Sequence, residues 1–143
     1  MESNKKTKGV SLNIEKGLPG FEDVKEYQLS EIPEHPGFLV LKGKGGPSFL
    51  VLGDPQRFFA DYAVHIERDK MTGLGDEEEI EVYLLITVPA DPQAMTANLL
   101  APLLVNRKKQ KGKQVVLYES DYSTRHPLFP PRASTSGSSQ GGV

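Results

Sequence analysis

Ile80-Glu81-Val82-Tyr83-Leu84-Leu85-Ile86-Thr87-Val88 is the most regular segment of the chain. Side chains alternate across an extended backbone. Ile80, Val82, Leu84, Ile86 and Val88 therefore share one face, and Glu81, Tyr83, Leu85 and Thr87 share the other. The apolar period is two rather than 3.6, so the segment reads as a strand. Its second face, taken as the outer one, starts charged and turns apolar. That pattern runs the strand from the rim of a sheet into its centre.

The same period recurs on either side. Val10-Ser11-Leu12-Asn13-Ile14 alternates, and further strands are expected at Tyr27 to Ile32 and Asp61 to Ile66. Phe38-Leu39-Val40-Leu41 and Phe49-Leu50-Val51-Leu52 are apolar on both faces and flank Gly43-Lys44-Gly45-Gly46-Pro47, which predicts a largely covered hairpin. Leu99 to Val105 and Gln114 to Tyr118 read as strands on either side of a basic tip. Pro102 cannot donate a ladder hydrogen bond, so it marks an edge or a bulge. Helical signal is thin: Asp69 to Leu74 suits one turn or two, and Asp91-Pro92 opens a short turn with Asp as N-cap and Pro following.

With 11 prolines and 14 glycines spread between short strands, the expected fold is mainly β. It is a small closed or rolled β-barrel-like single domain with one or two short helical turns, an arrangement that removes exposed strand edges. The 143 residues suit one domain. The ordered part is expected over 9–131. The polar residues 1–8 and the Gly/Ser-rich residues 132–143 are expected to be disordered.

A net charge of -2 argues against a domain built to coat nucleic acid. The absence of cysteine excludes disulfides, thiol nucleophiles and thiolate zinc sites, and fits a reducing compartment. No apolar stretch follows the polar start, so no secretory signal is expected, and the apolar runs Tyr83 to Val88 and Leu99 to Val105 are too short to cross a bilayer. The expected location is cytoplasmic. His35, His65 and His126 lie outside chelate spacing of one another. Gly43-Lys44-Gly45-Gly46 leads into a strand rather than a helix, so it is no phosphate loop. Asp54 and Asp61 flank a turn. No catalytic, metal or cofactor site is expected.

Two charge clusters remain: acidic Asp76-Glu77-Glu78-Glu79 with Glu81, and basic Arg107-Lys108-Lys109 with Lys111 and Lys113. Each reads first as a solvated loop. The basic tip, Arg107 to Lys113, supports an alternative function as a small RNA-binding barrel, although it lacks interleaved aromatics on which bases would stack.

The run Thr96-Ala97-Asn98-Leu99-Leu100-Ala101-Pro102-Leu103-Leu104-Val105-Asn106 resembles the signature of the FliW flagellar assembly factors, and Gln114-Val115-Val116-Leu117 resembles the strand that follows it. Gly17-Leu18-Pro19-Gly20-Phe21-Glu22 is similar to the family's upstream turn. Asp54-Pro55, Phe58, Asp61 and Tyr62 are similar to its middle block, and Tyr122, Arg125 and His126-Pro127-Leu128 to its closing segment. The resemblance runs in order from about Leu12 to Leu128. The basic tip is heavier than the family pattern, and the Ser/Gly tail lies outside it.

The resemblance implies a non-enzymatic cytoplasmic protein with a compact β-barrel-like fold and two partners, flagellin and the translational repressor CsrA. Free FliW antagonises CsrA; flagellin captures FliW when secretion stalls, and the released CsrA then represses its messages. No cofactor, no direct nucleic-acid contact and no membrane contact are expected, and the free protein is expected to be monomeric. The residues expected to contact partners are Tyr62, Asp76, Glu77, Glu78, Glu79, Thr96, Asn98, Pro102 and Asn106. The acidic run faces CsrA in this reading. Leu99, Leu103 and Val105 are expected in the core, with Thr96, Asn98, Pro102 and Asn106 shaping an adjoining rim.

Overall fold

The structure, a computed structural model, describes residues 9–18, 22–45, 49–59, 62, 68–118 and 120–129. The strand expected at Asp61 to Ile66, apart from Tyr62, and both chain ends lie outside those residues.

Among the described residues, nine strands form one sheet: β1 (Val10–Ile14), β2 (Glu26–Glu31), β3 (Phe38–Gly43), β4 (Phe49–Gly53), β5 (Glu81–Thr87), β6 (Thr96–Ala97), β7 (Leu103–Asn106), β8 (Lys111–Gln114) and β9 (His126–Pro127). Seven of them run in the order β4-β3-β2-β1-β8-β7-β5, and a further β4–β5 pairing closes the ring. Closure pairs both edges of each barrel strand, the expected remedy for a chain of short strands. Every pairing is antiparallel except β1 with β8, where Asn13 aligns with Lys111 and Ile14 with Gly112. That seam is tight: a Cβ on Gly112 would lie 3.1 Å from Ile14 Cγ1.

Inward positions alternate along each strand as period two requires. Leu12 and Ile14, Tyr27 and Leu29, Leu39 and Leu41, Leu52, Tyr83, Leu103 and Val105 fill the barrel with Leu18. Burial of these side chains, at roughly 1.5–3 kcal/mol for each large aliphatic one, is the main force closing the ring.

The faces of β5 correct the sequence reading. Tyr83 and Leu85, assigned to the outer face, pack into the barrel interior. Ile80, Val82, Leu84 and Ile86 point out of the barrel, yet they too are covered. Ile80 and Val82 pack with Met71, Leu74, Leu104, Val115 and Leu117; Leu84 and Ile86 pack with Ala97, Leu99 and Leu128. Long connections wrap the outside of the barrel and form a second apolar layer. A strand covered on both faces loses the clean polar–apolar alternation that would tell inside from outside.

Other expectations shift by a few residues. The strand placed at Gln114 to Tyr118 is Lys111–Gln114. Val115 and Leu117 instead donate backbone hydrogen bonds to Pro102 and Leu100 (3.1 and 2.8 Å). Asp54 caps a short helix, α1 (Pro55–Phe58), by accepting from Gln56 N–H at 3.0 Å. Asp91 caps the turn Pro92–Ala94 in the same way. Asp69 to Leu74 contributes one 3-10 turn, Arg68–Met71.

Candidate functional site

Asn98 to Pro102 explains why the Thr96–Asn106 run has so specific a sequence. β6 pairs with Ile86 and Thr87, and β7 pairs with Glu81 to Tyr83, both along one edge of β5. Asn98 to Pro102 therefore stand opposite Leu84 and Leu85 alone, and the surplus loops out as a long, multi-residue bulge. Asn98 builds it: its N–H donates to Leu85 O (2.9 Å), and its Oδ1 accepts from Leu100 N–H and Ala101 N–H (3.1 and 3.0 Å). Gln114 Nε2 donates to Ala101 O (3.0 Å), and the Tyr62 hydroxyl donates to Leu99 O (2.8 Å). Pro102 is buried and precedes β7, so it denies the ladder no hydrogen bond. The bulge half of the sequence reading holds; β7, flanked by β5 and β8, is no edge.

The expected rim residues do not form one surface. Thr96 and Asn98 are half-buried, whereas Pro102 is buried and Asn106 is wholly so. Asn106 Nδ2 donates to Leu74 O (2.6 Å) and weakly to Glu79 Oε1 (3.5 Å), while its Oδ1 accepts from Lys109 N–H (3.0 Å). It cannot touch a partner. Instead it ties the acidic run to the basic tip. Tyr62 is also half-buried, packed 4.8 Å from the Tyr122 ring, and burial raises its hydroxyl's pKa well above the tyrosine range.

The two charge clusters, far apart in sequence, meet in space. Glu77–Glu79 forms a 3-10 turn after Gly75, whose φ of 92° strains any residue with a side chain and where a Cβ would lie 2.9 Å from the buried Asn106 Nδ2. Lys108 Nζ lies 3.1 Å from Glu79 Oε2. Arg107 Nε lies 2.8 Å from Glu81 Oε1, and its other arm donates to the Tyr83 hydroxyl (2.9 Å) and approaches Glu31 (3.9 Å). The Tyr83 hydroxyl in turn donates to Glu81 (2.7 Å). The hydrogen bond from Lys108 holds the Glu79 carboxyl below the usual carboxylate range. Burial pushes the Tyr83 hydroxyl up to about 12. Burial also opposes the Arg107 charge, but its bonds to Glu81 and Tyr83 outweigh this and keep it protonated. Sequence reasoning missed this network because Glu81 and Tyr83 were assigned to the wrong face.

Asp76, Glu77 and Glu78 are different. They are exposed and make no ion pair among the described residues. With Met71, Thr72 and Gly73 they border an open depression of about 990 Å³. The result is an acidic ledge pinned from behind by Asn106 and Lys108. Among the described residues no cluster of histidine and carboxylate ligands is placed to hold a metal, and no helix is long and apolar enough to cross a membrane. His126 packs edge-on to Phe59 at 5.2 Å.

The model of the family described as FliW protein matches residues 2–128. The flagellar assembly factor FliW of Heliobacterium modesticaldum is 37% identical over 134 residues, spanning 92% of this chain and 88% of the relative. That of Syntrophomonas wolfei is 38% identical, spanning 80% and 76%. A crystal structure of the flagellar assembly factor FliW superposes with a TM-score of 0.77 at 31% identity, covering 85% of this chain and 87% of the other. A barrel, a bulge signature and near full-length similarity thus agree, and the chain belongs to the FliW family of flagellar assembly factors.

Proposed function

We propose that this protein works by binding rather than catalysis, as a cytoplasmic partner switch: it holds CsrA away from flagellin and other target messages, and it binds flagellin as a chaperone. The observation that carries the CsrA half is the ledge of Asp76, Glu77 and Glu78. A repressor that grips RNA carries a basic face, because phosphate neutralisation supplies much of nucleic-acid affinity. An opposed acidic surface steers such a partner and fixes its orientation. Competition between CsrA and flagellin, direct or by linkage, is all the switch requires.

The alternative, RNA binding through Arg107 to Lys113, is the weaker reading. Arg107 and Lys108 already face Glu81, Glu31 and Glu79, which leaves Lys109, Lys111 and Lys113 to meet phosphate. One experiment separates the two. In a mobility-shift assay with CsrA and a labelled flagellin-message leader, added protein should free the RNA and produce no shifted band of its own. A salt-sensitive RNA complex formed without CsrA would overturn the proposal, as would CsrA–RNA complexes that persist unchanged.

A further inference from the structure

Charge on a surface steers a partner towards it, but residence there comes from side chains that the partner buries. The ledge of Asp76, Glu77 and Glu78 supplies charge alone. Close by stands Tyr118, at 79% the most exposed large apolar or aromatic side chain among the described residues.

Its place in the fold is fixed by two contacts. Lys70 Nζ lies 5.3 Å from the centre of the Tyr118 ring. The chain neighbours of these two residues, Met71 and Leu117, belong to one buried cluster with Leu74. Met71 also borders the depression that the ledge flanks. Lys70–Met71 and Leu117–Tyr118 therefore lie side by side, and the ring stands beside that depression. A lone exposed aromatic needs no explanation. This one is restrained by the half-buried Lys70, so a partner that covers it orders little that is not already ordered.

The surrounding charges select the occupant. Asp69, Asp76, Glu77 and Glu78 are exposed and make no ion pair among the described residues. Lys70 and Lys109, whose stem lies against Gly75, oppose them, and the Glu79–Lys108 pair is neutral. The balance stays negative. A second copy docked on the same patch would set carboxylates against carboxylates, and an RNA backbone would bring phosphates to them. A basic protein surface suits both features, because an aromatic face attracts a guanidinium or ammonium group as carboxylates do.

We infer that Tyr118 is the aromatic anchor for the partner of the ledge. The carboxylates draw a basic protein in, and the ring takes one of its arginine or lysine side chains and slows its release. This rests on the reading of the ledge as the CsrA surface.

The test uses the full chain and purified CsrA, with association and dissociation rates measured separately by stopped flow. The variants are Tyr118→Ser, Tyr118→Leu, Tyr118→Phe and Phe49→Ser. Phe49, 57% exposed on β4, controls for loss of an exposed aromatic elsewhere. Tyr118→Ser should release CsrA about tenfold faster than wild type and associate within about twofold of it, since anchors act on release and rim charges on encounter. Tyr118→Leu keeps apolar bulk without the ring and should release CsrA about fivefold faster, so it reports on the anchor even if the serine variant folds poorly. Tyr118→Phe keeps the ring, and it and Phe49→Ser should both stay within about twofold. Release at the wild-type rate from the serine and leucine variants overturns the anchor and leaves the ledge reading standing. A loss shared by Phe49→Ser, or one confined to association, also overturns it. Wild type that binds no CsrA removes both readings.

Discussion

The two ends of β5 are built on different principles. At its start, Glu81, Arg107, Tyr83, Lys108, Glu79 and Asn106 interlock through directional bonds, and the acidic ledge stands on that network. At its far end, Ile86 lies in a cluster of aromatic and aliphatic side chains, among them Phe38 and Phe58, whose rings lie 4.9 Å apart. Dispersion and apolar burial are spread over many contacts, so no single residue sets the shape there. Hydrogen bonds to buried groups are not redundant, because a deleted partner leaves an unpaired polar atom. The polar end should therefore be brittle at its buried members, Asn106 and Tyr83, whereas the apolar end should tolerate volume-conserving swaps though not truncation of a buried side chain.

Asn106→Ala is the severest test of that contrast. It leaves Leu74 O, in a buried residue, and the part-buried Lys109 N–H without their partner, at a side chain that itself has no solvent exposure. About 3 kcal/mol of stability should be lost, since each unsatisfied buried group costs about 1–3 kcal/mol. Urea denaturation would measure it; a loss under about 1 kcal/mol would mean the ledge is not pinned as described.

Asn98→Ala comes next, because it removes two acceptor contacts from the bulge. A destabilisation of about 1–2 kcal/mol is expected, comparable to loss of a helix N-cap. With folded protein, partner affinity should change little. Weakened binding at unaltered stability would return Asn98 to the contact surface, where the sequence reading placed it.

Tyr83→Phe probes the rim network through pH. The folded hydroxyl is raised to about 12 from an ordinary 10.0. A raised folded pKa favours the protonated form, so this contribution to stability is intact below pH 10 and is lost as pH climbs from 10 to 12. Ultraviolet titration of wild type should show a tyrosinate step near pH 12 that the variant lacks. Its appearance near pH 10 would mean the hydroxyl is not buried against Arg107.

These contrasts also show what the sequence could reveal. Strand positions followed from alternation at Val10–Ile14 and along β5, and barrel closure followed from many short strands separated by Gly and Pro. The inner and outer faces of β5 were not legible. Both are apolar, and what covers the outer one comes from Met71, Leu99 and Leu128, distant in the chain. The bulge was half legible: Pro102 signalled an irregularity, but the length of the excursion depends on where β6 and β7 each meet β5. At the candidate site the acidic run was visible as composition. Its division into neutralised Glu79 and free Asp76, Glu77 and Glu78 was not, because Lys108 reaches Glu79 only through folding. Asn106 read as a rim residue because a polar residue ending an apolar run ordinarily faces water.

The central claim, that the ledge steers CsrA, is tested most directly by stopped-flow association. The variant replaces Asp76 with Asn and Glu77 and Glu78 with Gln, leaving the Glu79–Lys108 pair intact. Rim charges act mainly on association rate and salt dependence. At low ionic strength the variant should associate with CsrA about three- to fivefold more slowly than wild type. The gap should close as the Debye length falls from about 30 Å at 0.01 M towards about 8 Å at 0.15 M salt. Association rates that match wild type at every ionic strength would contradict the account and leave the ledge an ordinary solvated turn.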